Sequence, residues 1–138
     1  MWLDTCARAV RHRLASATGP VVVGHGDWWS DDVRWSGADL LAVDDWDSVV
    51  ALPESALVGA AAALHAGGRS TVDETGTFLD SCGAASGRAW SQDDHQVAWA
   101  AGLWARLFDA RKELTSGSSS AADVLQHDVA RRADLAGL

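Results

Sequence analysis

Between Val21 and Asp47 the sequence reads VVVGHGDWWSDDVRWSGADLLAVDDWD, and no other stretch restricts the chain's folding options as much. Seven Asp, one His and four Trp share these 27 positions with three short apolar runs. The runs are Val21–Val23, Val33–Trp35 and Leu40–Val43. Short β-branched and aromatic runs bounded by Gly, Ser and Asp predict strands, and Ser36-Gly37 predicts the tight turn between the last two. The expected order is strand, carboxylate loop, strand, turn, strand, second carboxylate loop. Such a hairpin brings the loops together, so Asp27, Asp32 and Asp45 are expected to face a common point.

Carboxylates held close repel and raise one another's pKa, so an ionised cluster calls for a cation among them. Mg²⁺ takes hard oxygen ligands, usually one or two carboxylates completed by phosphate oxygens. A further Asp off the metal can accept a proton from a substrate hydroxyl. The chemistry expected is Mg²⁺-dependent phosphoryl transfer. The same residue types are equally compatible with a solvated acidic turn region, since Asp is common in loops and caps.

Order and spacing add to this reading. His25-Gly26-Asp27, then Asp32 five residues after Asp27, then a hairpin and Asp45-Trp46, resembles the catalytic segment of the aminoglycoside/choline-kinase-like phosphotransferases. Their pattern is H-G-D-x-x-x-x-N, a hairpin, then an I-D-W-type motif. The stretches DWDSVVALPESALVGAAAAL and FLDSCGAASGRAWSQDDHQVAWAAGLWARLFDARKE look like the helical part of bacterial members. The resemblance runs from the first helix to Glu113. It implies the C-terminal lobe of a protein-kinase-like fold, an α+β and mostly helical architecture with a small catalytic β-hairpin. It implies Asp27 as catalytic base, Asp32 and Asp45 as Mg²⁺ ligands, His25 as a supporting residue, and ATP as co-substrate to a small-molecule acceptor. Position 32 departs from the family, which has Asn there. The added negative charge is expected to weaken nucleotide binding or alter metal preference.

Kinases of that fold place a glycine-rich loop and a strand Lys in a preceding lobe. Here His-Gly-Asp arrives by residue 25, and the only Lys is Lys112. The expectation is therefore a C-lobe on its own: a truncated product, a start-site error or half of a split kinase. Self-association or a separate N-lobe chain would then cover its exposed face. Two other functions fit the residues: a non-catalytic kinase-like remnant or binding module, and a carboxylate-metal hydrolase that needs no nucleotide. Reading the coding sequence upstream of Met1 separates the enzyme from the remnant.

A chain of 138 residues suits one domain, and 48% apolar residues allow a real core. The net charge of −8 argues against nucleic acid, which needs a basic face; only Arg8, Arg11 and Arg13 cluster. No apolar run reaches the roughly 18–20 residues that span a bilayer. Arg and Asp throughout residues 1–20 argue against a signal peptide. Cys6 and Cys82 form neither a metal motif nor a disulfide framework, so reduced thiols in a cytoplasmic protein are expected.

Helical spacing of Leu3, Cys6, Val10 and Leu14 predicts a first helix ended by Gly19-Pro20, with Arg8, Arg11, His12 and Arg13 mostly on a solvated face. Pro53-Glu54 is expected to open a helix through about His65, and another spans about Val72 to Ala85. Ser91 with Asp94 reads as a capping box starting a helix to about Leu114. Its buried stripe is expected to hold Val97, Ala101, Trp104, Leu107 and Phe108, widened by Trp99 and Leu103, with Arg106, Arg111 and Lys112 solvated. Asp47 is expected to cap the segment after it. The chain thus divides into residues 1–114, with the catalytic hairpin at 21–47 and the helical part at 53–114; a Ser/Gly linker at 115–120; and a C-terminal helix within 121–138, expected to dock. Glu54, Asp73, Glu74 and Asp80 are acceptor-site candidates from the resemblance, against the plainer reading of surface charge.

Overall fold

The computed structural model describes all 138 residues. It is an α+β fold, mostly helical, with five helices and two separate two-stranded antiparallel sheets. The order is α1 (Trp2–Ala15), β1 (Val21–His25), β2 (Val33–Ser36), β3 (Asp39–Val43), β4 (Val49–Pro53), α2 (Glu54–Leu64), α3 (Val72–Ala85), α4 (Gln92–Thr115) and α5 (Ser120–Leu135). Single 3₁₀ turns at Ser30–Asp32 and Trp46–Ser48 lead into β2 and β4.

Helix α4 is the axis of the molecule, with α1, α2 and α5 packed against it. The core gathers Leu3 and Val10 from α1, Leu79 from α3, Trp99, Leu103 and Leu107 from α4, and Leu125 from α5. The widened stripe expected on this helix is therefore real, because it has three neighbours. Two of the expected core residues are not in it: Trp104 is 40% exposed and Phe108 is 62% exposed. Arg106, expected in solvent, is buried instead. Its guanidinium donates to the Gly68 carbonyl at 2.7 Å and to the carbonyl and hydroxyl of Ser70. These acceptors come from the α2–α3 loop, so they enter only on folding.

Small residues set how α2 meets α4. A Cβ built on Gly59 would lie 2.0 Å from the Ala98 carbonyl oxygen, so the two backbones touch where both lack bulk. The Ala-rich composition of α2 serves this close approach. Helices α3 and α4 start with complete capping boxes. Ser91 and Asp94 exchange bonds as expected, and Thr71 and Glu74 do the same at α3. His65 ends α2, bonding the Ala62 carbonyl at 3.0 Å and stacking on Phe78. The last helix docks on α4 as expected, burying Ala122, Leu125 and Arg132.

The acidic segment forms strands at the expected places. Gly37, at φ 60°, opens the two-residue turn between β2 and β3. One strand was not foreseen. Val49–Pro53, expected to join the helical part, pairs with β1 from Val21 opposite Pro53 to His25 opposite Val49. Its partner lies some 25 residues earlier, and local periodicity carries no information about that pairing. Both ribbons stay largely exposed on their apolar residues, among them Val23 at 74% and Leu41 at 66%. No helix is long and apolar enough to cross a membrane.

Candidate functional site

His25 ends β1 and is buried between the two carboxylate loops. Its Nδ1 accepts the Asp27 backbone N–H at 3.3 Å, and its Nε2 lies 2.9 Å from the Asp44 carbonyl. An accepting Nδ1 places the proton on Nε2, which donates to Asp44. Trp28 and Trp46 flank the ring edge-on, at 5.8 and 5.1 Å between centroids. The imidazole thus ties both loops together.

Further bonds lock the same junction. The Asp44 N–H donates to the Asp32 carbonyl at 2.8 Å, and the Gly26 N–H to the Ser48 carbonyl at 2.9 Å. The Asp44 carboxylate is taken by Arg34, whose Nε donates at 2.7 Å. Alternation along a continuing strand would put Asp44 and Asp45 on opposite faces. The strand ends at Val43, however, and Asp45 is turned away by a left-handed backbone, φ 58° and ψ 47°. It is the only non-glycine residue with positive φ. Such a conformation is uncommon and is tolerated best by Asn and Asp. Asp47 caps nothing: it lies inside the short 3₁₀ turn, with Asp45 before it as N-cap.

Asp45 lies within reach of the Asp32 charge. Its carboxyl is held above its ordinary range, first by the charge of Asp47 and a hydrogen bond with it, then by local desolvation and the charge of Asp32. Asp32 is half-buried, and its Oδ2 is buried with no hydrogen-bond partner. Asp27 does not join them. No three His, Cys, Asp or Glu side chains converge to hold a metal ion, so the expected common point of three carboxylates is not formed. Asp27 instead accepts the indole N–H of Trp29 at 2.7 Å. It lines a separate, mostly apolar cavity of about 620 Å³ between the end of β4, α2 and α4.

Across that cavity stand Trp104, Phe108, Asp109 and Lys112. Burial and the Asp27 charge push the Asp109 carboxyl up, with Lys112 opposing. None of these α4 residues was foreseen as part of a site. A signal existed: Ala101, Ala105 and Asp109 form one i, i+4, i+8 row, and Trp104, Phe108 and Lys112 form the next. The acceptor-site candidates have other occupations. Glu54 pairs with Arg88, Asp73 with Arg131, and Glu74 closes its capping box, while Asp80 is an exposed residue on α3.

Oxygen chemistry in the second loop suits a hard cation. Asp32 offers one orphaned oxygen and Asp45 lies within reach of its charge, and Mg²⁺ needs only one or two protein carboxylates and keeps water or phosphate elsewhere. Asp27, held by Trp29 through one oxygen, keeps the other free to take a proton in the cavity. Protein-family models, curated proteins and solved structures yield no match to this chain.

Proposed function

We propose that the chain is the catalytic-loop lobe of an ATP- and Mg²⁺-dependent phosphotransferase acting on a small-molecule hydroxyl, of the aminoglycoside/choline-kinase-like type. The observation that carries this reading is the His25 bridge. One buried imidazole fixes the Asp27 turn and the Asp44-Asp45 turn relative to each other. The H-G-D, position-32 and D-W elements are thereby joined in space in the order that the resemblance calls for.

Asp27 is the base, set at the mouth of an apolar cavity where an acceptor hydroxyl can approach it. Trp29 orients its carboxylate, and His25 fixes its backbone. Asp32 and Asp45 hold Mg²⁺, which would neutralise charge on the transferring phosphate. The left-handed turn at Asp45 is backbone strain placed at a ligand, as is common at functional sites. The uncovered apolar residues on both ribbons support a partner over this face, either a second copy or a nucleotide-binding lobe on a separate chain.

Calorimetric titration with ATP, with and without Mg²⁺, tests the reading beside Asp45→Asn. Asn tolerates the left-handed turn, so the variant isolates the charge. Mg²⁺-dependent binding that the variant loses is expected. Failure to bind at millimolar ATP, or binding indifferent to Mg²⁺ and to the substitution, would overturn it.

A further inference from the structure

A second cavity, of about 370 Å³, lies where α4, α5 and the Gly67–Ser70 loop meet. Arg69, Arg106 and Lys112 line it, together with Asp109, Glu113 and the first residues of α5. Arg106 is 5% exposed and has no carboxylate bonded to it; its bonds go to the Gly68 and Ser70 carbonyls and the Ser70 hydroxyl. Its Nε is buried and has no partner at all. The adjacent buried arginine, Arg132, is bonded to Asp128, at 2.9 Å from Nε and 2.8 Å from Nη2, and the same carboxylate reaches Arg106 by charge alone, with no hydrogen bond to it.

A buried guanidinium with no carboxylate bonded to it is costly, and the orphaned N–H adds to that. Burial and the charge of Arg132 pull Arg106 down to about 10, which still leaves it cationic at neutral pH. The two acids at the cavity do not resolve this. Glu113 accepts the Ala121 N–H at 2.9 Å and so serves the start of α5. Asp109 acts on Arg106 by charge but forms no hydrogen bond with it, and its own carboxyl is pushed up. Three cations, the positive end of a 16-residue helix and an unpartnered buried N–H describe an anion site in a chain of net charge −8.

We propose that this cavity binds a phosphate-class oxyanion, with Arg106 as its buried anchor and Arg69 and Lys112 at its rim. The fork of a guanidinium and a nearby ammonium suits such an anion. Trp29, Asp109 and Lys112 belong to both this cavity and the one Asp27 lines, so the two sites share a wall. The proposal does not rest on the phosphotransferase reading.

Titration of the ¹⁵N-labelled whole chain with inorganic phosphate or AMP, against chloride at matched ionic strength, tests it by NMR. The expected result is a saturable displacement of the Arg106 Nε–H signal together with the Gly67 and Gly68 amides. The double variant Arg69→Ala, Lys112→Ala changes two exposed side chains, so its spectrum otherwise overlays; affinity is expected to fall at least about tenfold. Tighter AMP than phosphate identifies a phosphate carried on a larger ligand, and equal binding a free oxyanion. No saturable displacement by either ligand at tens of millimolar, or displacement undiminished in the double variant, overturns the site.

Discussion

Replacing Gly59 with alanine sets two effects of opposite sign against each other. A Gly-to-Ala change inside a helix is worth about 1 kcal/mol of stability from propensity alone. At position 59 the new methyl would meet the Ala98 carbonyl oxygen at 2.0 Å and its carbon at 2.6 Å, where ordinary contact begins near 3.4 Å. The obstacle is backbone, which has no rotamer to adopt. Helix α2 must move off α4 by more than about 1 Å, and Gly102 faces the same spot, where a built Cβ would lie 2.9 Å from the Gly59 carbonyl oxygen. Overpacking of this kind costs about 1–3 kcal/mol and occasionally more. With the buried residues Ala56, Ala62 and Ala63 displaced as well, the cost lies at the upper end and a net loss of about 2 kcal/mol is expected. Gly76 in α3 is the control, since its added methyl would meet only the edge of Trp99 at 3.8 Å. There the propensity gain stands, and Gly76→Ala is expected to stabilise by about 0.5–1 kcal/mol. Urea unfolding followed by circular dichroism measures both. A Gly59→Ala variant as stable as the parent would refute the close-packed reading of this interface.

Other tests reach different parts of the molecule. Arg88 donates to both oxygens of the buried Asp94 at 2.9 Å and to Glu54 at 2.9 Å, tying α4 to α2. The Arg88 bonds hold the Asp94 carboxyl well below the ordinary carboxylate range. A depressed folded-state pKa gives stability that is present above the unfolded value, about 4, and is lost as pH falls toward the folded one. Arg88→Met is expected to lower the urea midpoint at pH 7 and to flatten the acid loss below pH 4, read from urea midpoints across pH; an unchanged acid profile would remove Asp94 from the account. The exposed ribbons predict association: gel filtration should show species above the 14.5 kDa monomer that shrink on dilution, and Leu40→Lys with Leu41→Lys should restore the monomer. A monodisperse parent at high concentration would count against it.

The comparison of sequence with structure divides along the range of the forces involved. Helix positions, the Ser91 capping box and the β2–β3 turn at Gly37 follow from spacings within a few residues, and they were legible. Strand β4 was not legible, since its β identity comes from hydrogen bonds to Val21–His25 and not from its own pattern. Arg106 also misled, although it shares the helical stripe of Leu103 and Ala110; a charge reads as solvated until carbonyls from another loop are seen to receive it. The acidic segment shows the limit best. Residue order alone placed Asp27, Asp32 and Asp45 at the ends of strands. Only the tertiary structure decided that Asp32 comes within charge reach of Asp45 while Asp27 turns to Trp29 and the α4 cavity. Side-chain direction at a strand end is set by where the backbone turns, and here the turns are fixed by bonds between the two loops, through His25 and between Asp44 and Asp32.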